Sequence, residues 1–299
     1  MNKRQGGKGN HRRPAQGRRG GGGPRSGSNR GGDMRDGGSL GGSGGGRRKP
    51  LGGDQVEGRQ AVRELLLAGT RRTREVVLAG DLDQADILDE IVQLANEDKV
   101  PIREIARGKF EAMARTEAPQ GVLALAQPLF ERELDDLLIA RDGTPPFLIV
   151  LDGITDPGNL GAILRIAECA GVTGIVLPSH RTARISPSVT KSAAGAIEHL
   201  PIAQVPGIPS AIQRLKDSEV WTVALDMASD TDVFDLRVAT DPVALVLGAE
   251  GRGVSRLVRE RCDVVASIPL AGAIDSLNVS AAAAVACFEV VRRRKDAAS

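Results

Sequence analysis

Residues 151–178 read LDGITDPGNLGAILRIAECAGVTGIVLP. The first residues close an apolar run that begins at Phe147, FLIVLDGI, long enough for a strand. TDPGN is a turn, because proline and glycine punctuate regular structure. LGAILRIAECAG has the length and apolar spacing of a helix, and VTGIVLP is a second strand. Two continuous apolar strands joined by a helix form a βαβ unit, and strands apolar on both faces belong to a parallel sheet covered on both sides. Two polar residues interrupt the stretch. Asn159 follows Pro157-Gly158 and is placed to cap the helix. Arg165 lies between Leu164 and Ile166, and arginine is almost never fully buried without a partner. It either faces solvent or turns into a cleft, where it would meet a phosphate or a developing alkoxide. Spacing alone leaves both readings open.

The alternation continues to the C-terminus. SPSVTKSAAGAIE is helical, LPIAQV a strand, IPSAIQRLKDS a helix, and VWTVALDM and VALVLGAE strands. GVSRLVRERC is a helix, VVASIPL a strand, and VSAAAAVACFEVVRRRK a final alanine-rich helix. Upstream lies a smaller α/β unit. It comprises the helix in DQVEGRQAVRELLLAG, the strand TREVVLAG, and the helix DQADILDEIVQLANEDK with Asp83 as its expected N-cap. The strand VPIREIA, the helix GKFEAMART and the strand GVLALAQP complete it. The expected organisation is a tail over 1–52, a small domain over 53–128, a linker over 129–146 with one helix, and a larger domain over 147–299.

The net charge of +2 hides an uneven chain. The first 50 residues hold 13 of 40 Lys+Arg, 2 of 38 Asp+Glu and 18 of 37 Gly. Such a segment cannot bury enough apolar surface to offset its ordering entropy, so disorder is expected. A flexible arginine/glycine arm suits a polyanion, most simply RNA, or serves only solubility. No apolar run reaches membrane-spanning length, and no apolar signal core opens the chain. The three cysteines, Cys169, Cys262 and Cys287, are widely spaced. They suggest neither a disulfide framework nor a zinc site and fit a reducing cytoplasm. His11, His180 and His199 show no metal-ligand spacing, so no metal is expected. With no tyrosine and five phenylalanines, an aromatic base-stacking sheet is not expected.

Three turns follow strands in the larger domain: TDPGN at 155–159, GAEGRG at 248–253 and AGAIDSLN at 271–278. Ligands of open α/β sheets bind at the carboxyl ends of strands, where such turns lie. Familiar templates are absent. G-x-x-G-x-G at 248–253 is not the dinucleotide fingerprint, and neither a P-loop nor a nucleophile elbow occurs.

Taken together, the three turns resemble the SpoU family of the SPOUT superfamily, S-adenosylmethionine-dependent RNA 2′-O-methyltransferases. LDGITDPGNLGAILRIAECAG matches the first motif, LVLGAEGRGVS the second, and IPLAGAIDSLNVSAAAAVACFE the third. VEGRQAVRELL and APQGVLAL are similar to the start and end of the family's substrate-binding domain, which is like an RNA-binding ribosomal protein. Pro119 stands where the family often has a histidine. The resemblance implies an α/β SPOUT domain with a parallel sheet and a deep trefoil knot, and a homodimer whose active site is completed near the subunit interface.

The resemblance also implies site residues. Asn159, Arg165, Glu250, Ser276 and Asn278 would be catalytic, and Gly248, Ile268 and Leu277 would bind S-adenosylmethionine. Arginine is a poor base, its pKa exceeding about 12. Arg165 would therefore stabilise the 2′-alkoxide while an RNA phosphate takes the proton, with the asparagines orienting arginine and ribose and Glu250 fixing the arginine or the RNA. Arg252 and Arg256 would touch RNA phosphates or remain solvated. With both domains present, the expected substrate is a guanosine of 23S ribosomal RNA. A tRNA substrate, a non-catalytic RNA-binding or ribosome-assembly factor, and a nucleotide-dependent oxidoreductase are the alternatives.

Overall fold

The computed structural model describes residues 48–140 and 143–299. Of the tail expected over 1–52, residues 1–47 lie outside the described residues. Its expected last residues, 48–52, do not belong to a tail. Pro50–Gly52 (β1) pairs with Leu129–Phe130 (β6), and Leu51 is buried.

In the small domain β2 (Gln55–Glu57), α1 (Arg59–Ala68), β3 (Thr73–Ala79), α2 (Asp86–Glu97), β4 (Ile102–Ile105), α3 (Arg107–Met113) and β5 (Val122–Ala126) follow in order. They build a four-stranded mixed sheet, β2-β5-β3-β4. One face packs on α1 and α2 through Val62, Leu65, Leu88 and Ile91. The other face packs on Phe110 of α3. The expected cap Asp83 is not used: α2 starts at Asp86 after Ala85, which makes no side-chain cap. Asp86 and Asp89 in its first turn complement the helix dipole instead.

The larger domain runs through β7 (Phe147–Asp152), α4 (Pro157–Cys169), β8 (Gly174–Pro178), α5 (Pro187–Ser192), β9 (Ile202–Val205), α6 (Ile208–Asp217), β10 (Trp221–Leu225), β11 (Val243–Gly248), α7 (Arg256–Arg261), β12 (Val264–Ala266) and α8 (Val279–Ala298). Its six strands are all parallel, in the order β12-β10-β11-β7-β8-β9. β7 shows why the run was uninterrupted. Phe147, Ile149 and Leu151 enter the core under α4, α5 and α8, while Leu148 and Val150 enter the core under α6 and α7. Each such side chain contributes roughly 1.5–3 kcal/mol by leaving water. Gly161 brings α4 close to α5, since a Cβ there would overlap Ser192 Cβ and the Val189 carbonyl.

The expected linker is part of the fold. Arg132 bridges to Ala203 beside β9, and the 3-10 turn Leu134–Leu137 buries Leu137 in the α6 core. Those residues form a turn rather than the expected α-helix. The described residues thus make one unit. Arg71 of the small domain joins both oxygens of Glu198 at 2.8 and 2.6 Å, and both side chains are almost wholly buried.

Candidate active site

The sheet order reverses between β7 and β11, whose ends lie side by side with Asp152 opposite Gly248. A crevice opens at such a switch point because the following loops diverge. The three glycine-rich turns all leave the carboxyl ends of strands around it.

The first turn corrects one expectation. Asp156, not Asn159, caps α4: its Oδ1 accepts from the Asn159 backbone N–H at 2.6 Å, with Pro157 in the first helical turn. The Asn159 side chain is thereby left for longer-range bonds. Asn278 caps α8, its Oδ1 accepting from Ser280 N at 2.8 Å and from Ser280 Oγ at 2.6 Å. A backbone N–H can only donate, so the Asn278 amide is fixed, and its Nδ2 must point away. It donates to Asn159 Oδ1 at 2.9 Å. Asn159 Nδ2 in turn donates to Glu250 Oε2 at 3.0 Å. A relay of three side chains, Asn278–Asn159–Glu250, thus ties the three turns together.

The second turn is held by its own backbone. Gly253 N donates to Ala249 O at 2.8 Å, and Gly251 and Gly253 have positive φ. Asp152 Oδ2 accepts from Ser255 N at 2.8 Å, anchoring the turn to β7. Gly248 admits no side chain, because a Cβ would overlap Gly253 and the Val254 nitrogen. The space a side chain would need is taken by the turn itself.

Beside the relay lies a cleft of about 370 Å³. Gly248, Ile268 and Leu277, the three expected cofactor residues, all line it, as do Glu250, Ser276 and Arg252. Leu225, Leu247 and Leu270 add apolar wall, and Asp226 and Asp275 add carboxylates. Asp226 was not foreseen. It directly follows β10 in VALDM, and the rule that strand ends carry the site would have included it. Its Oδ2 accepts from Arg259 Nη1 at 2.8 Å and its Oδ1 from Ala228 N at 2.9 Å, which fixes the carboxylate at the cleft.

Two expected residues stand apart. Arg165 is exposed on α4 and makes no hydrogen bond or ion pair among the described residues. It does not line the cleft. Arg256 is exposed and paired with Glu260 of its own helix at 2.7 Å. A larger cavity of about 750 Å³ lies in the small domain, lined by Arg59, Arg107, Pro119 and Gln120. It belongs to the small domain whereas the relay belongs to the larger one, and its mixed charge gives no reacting constellation. Among the described residues no helix is long and apolar enough to cross a membrane, and no His/Cys/Asp/Glu cluster could hold a metal ion.

The chain matches two family models: the SpoU rRNA methylase family over residues 146–288, and the RNA 2′-O ribose methyltransferase substrate-binding domain over residues 55–131. It is 34% identical to the 23S rRNA (guanosine-2′-O-)-methyltransferase RlmB of Pseudomonas putida, over 81% of this chain and 97% of that protein. It is 38% identical to an uncharacterised tRNA/rRNA methyltransferase of Mycobacterium marinum, over 83% and 82% of the two chains. Among solved structures, the SpoU methyltransferase AviRb from Streptomyces viridochromogenes in complex with AdoMet superposes with a TM-score of 0.67 and 27% identity, over 81% of this chain and 90% of that one. With both domains matched in order, the chain belongs to the SpoU family of RNA methylases.

Proposed function

We infer that this chain transfers a methyl group from S-adenosylmethionine to a ribose 2′-oxygen of RNA, and that the target is a guanosine of 23S ribosomal RNA. The observation that carries this reading is the Asn278–Asn159–Glu250 relay beside the cleft, because it joins all three motif turns at one place. The RlmB relative, matched almost end to end, supports the substrate.

The cleft fits the cofactor. Its apolar walls at Ile268, Leu270 and Leu277 suit a purine nucleoside, and the carboxylates of Asp226, Glu250 and Asp275 suit a sulfonium and an ammonium group. S-adenosylmethionine supplies an electrophilic methyl group. The residues supply position and charge. Glu250 and Ser276 present oxygen acceptors at the cleft, where they orient the ribose. Asn159 holds Glu250, and Asn278 holds Asn159. Arg165 stabilises the 2′-alkoxide as it forms, and an RNA phosphate accepts the proton, since a guanidinium does not serve as a base.

Arg165 reaches this role through a second copy of the chain. On α4 it neighbours the half-buried Ile166, and on α8 Phe288 is 48% exposed. An arginine with no side-chain partner among the described residues and an exposed phenylalanine, on two helices that pack together, support a homodimer that brings Arg165 to the active site. The knotted path expected of the family belongs to the same reading, and the packing of α8 across α4 supports it. Three free cysteines support a cytoplasmic location.

The test uses purified protein, tritiated S-adenosylmethionine, total tRNA, and ribosomal RNA from cells lacking the gene. Label resistant to alkaline cleavage at one large-subunit ribose is expected, since a blocked 2′-OH prevents cleavage. Label in tRNA would keep the chemistry and change the substrate. Cofactor binding without label would point to a precursor substrate. Neither binding nor label would leave a non-catalytic RNA-binding factor.

A further inference from the structure

The ribbon of β1 and β6 carries a surface that methyl transfer does not use. Its strands are antiparallel, with Pro50 opposite Phe130. Glu131 N donates to Lys49 O at 3.1 Å, so the pairing extends outward, and Arg132 N then donates to Ile202 O at 2.8 Å, which joins Arg132 to β9. Residues two apart in a strand share a face. Arg48, Phe130 and Arg132 accordingly line one groove of about 440 Å³, between the ribbon and the start of β9. The Phe130 residue is 47% exposed.

The two arginines are exposed, and their side chains have no hydrogen bond or ion pair among the described residues. The charges around them are otherwise engaged. Glu198 gives both oxygens to Arg71. His199 faces Glu64 at 3.3 Å. Glu131 alternates to the other face, where its Oε1 accepts from Lys49 N at 3.2 Å. Two like charges lining one groove repel each other. An anion between them would relieve that repulsion. An exposed ring flanked by two such cations is the arrangement that binds single-stranded nucleic acid: a base stacks on the ring while phosphates on either side meet the charges.

We propose that this groove holds a single-stranded segment of RNA, one unpaired base on Phe130 and neighbouring phosphates on Arg48 and Arg132. It lies where β9 begins, whereas the methyl-transfer cleft lies where β10 and β11 end. The groove therefore holds RNA away from the reacting nucleotide. The sequence that leads into Arg48 is rich in arginine and glycine. The assignment rests on the proposed function only in taking RNA as the polyanion.

The full chain should be titrated against a fluorescein-labelled single-stranded RNA and against the matching duplex, by anisotropy at several salt concentrations. The R48Q/R132Q double variant should weaken single-strand binding several-fold near 0.1 M salt. It should also lower the salt slope by about 1.4, because each phosphate contact on a single strand contributes about 0.7. F130A should weaken single-strand binding at least about fivefold, leave the salt slope unchanged and spare the duplex. Unchanged calorimetric binding of S-adenosylmethionine would show that both variants keep their fold. Wild-type affinity in the double variant would overturn the proposal, and so would equal loss on duplex and single strand in F130A. The same preparations, assayed for methylation, separate the two readings. Affinity lost in the variants while wild type methylates no RNA pool would sustain the groove and sink the enzyme. Methylation by wild type with affinity unchanged in the variants would do the reverse.

Discussion

Asn159 bonds to both of the other motif turns, and its role can be tested one atom at a time. Asn159→Asp replaces the Nδ2 donor with an oxygen and sets a second carboxylate against Glu250 Oε2. A hydrogen bond to a charged group contributes about 1.5–3 kcal/mol, so methylation should fall roughly tenfold to a hundredfold. Asn159 is only half-buried and does not cap its helix, so the melting temperature should move little. A large drop in melting temperature, equal in size to the kinetic loss, would make the residue structural instead. Gly248→Ala acts differently. The added methyl meets backbone, which cannot rotate away, and the 249–253 turn must shift. Calorimetry should show S-adenosylmethionine binding weakened at least about tenfold, and unaltered binding would remove that turn from the cofactor site. Cysteines supply a third check. Burial pushes the thiols of Cys262 and Cys287 up to about 12, while Cys169 is exposed. The thiolate is the reactive form, so a neutral-pH alkylating reagent should label Cys169 first and the other two only after unfolding, as mass spectrometry would report.

At the scale of elements, α8 links fold and site. Asn278 is both its N-cap and the first member of the relay. Asn278→Ala should therefore cost about 1 kcal/mol in chemical denaturation through the lost cap and reduce methylation by more than that stability change explains. Asn278→Ser keeps a capping oxygen and should restore stability without restoring the relay. The elements also show what was legible. The strands of the larger sheet could be read because each buries both faces, which makes its run continuous, as β7 does. Helix starts were harder. TDPGN holds both an aspartate and an asparagine that could cap, and only the geometry selects Asp156. The two-residue β6 and the turn Leu134–Leu137 are too short to show any period, so a docked segment looked like a linker. In the site, spacing indicated the three turns as a cluster of strand ends, but Gly248, Ile268 and Leu277 came from family resemblance. Hydrophobic residues that line a cleft look in sequence like residues that fill a core. Arg165 was left open by its spacing, and within one chain it faces solvent.

For the whole molecule, the question is what makes two domains one body. Arg71 and Glu198 answer it in part. Arg71 donates to both Glu198 oxygens across the junction and to the carbonyls of Gly53 and Gln127 in its own domain, so four of its five guanidinium N–H groups are engaged. Their side chains are 6% and 1% exposed, which means both charges have left water. Desolvation offsets much of the Coulomb attraction in such a pair, yet removing one partner strands the other charge. Arg71→Ala should cost about 3–5 kcal/mol in denaturant unfolding. The double variant Arg71→Met/Glu198→Met should lose much less, because it strands no charge and keeps apolar volume at the junction. If the pair only stabilises, the double variant will methylate RNA like wild type. If it also fixes the angle at which the substrate-binding domain presents RNA, the stable double variant will show a raised KM for RNA with cofactor affinity unchanged. We expect the second result, because Arg71–Glu198 is a buried, directional contact at this junction, beside the Glu64–His199 pair at 3.3 Å, the Gly53 N to Ile185 O bond and the packing of β2 and α1 on α5.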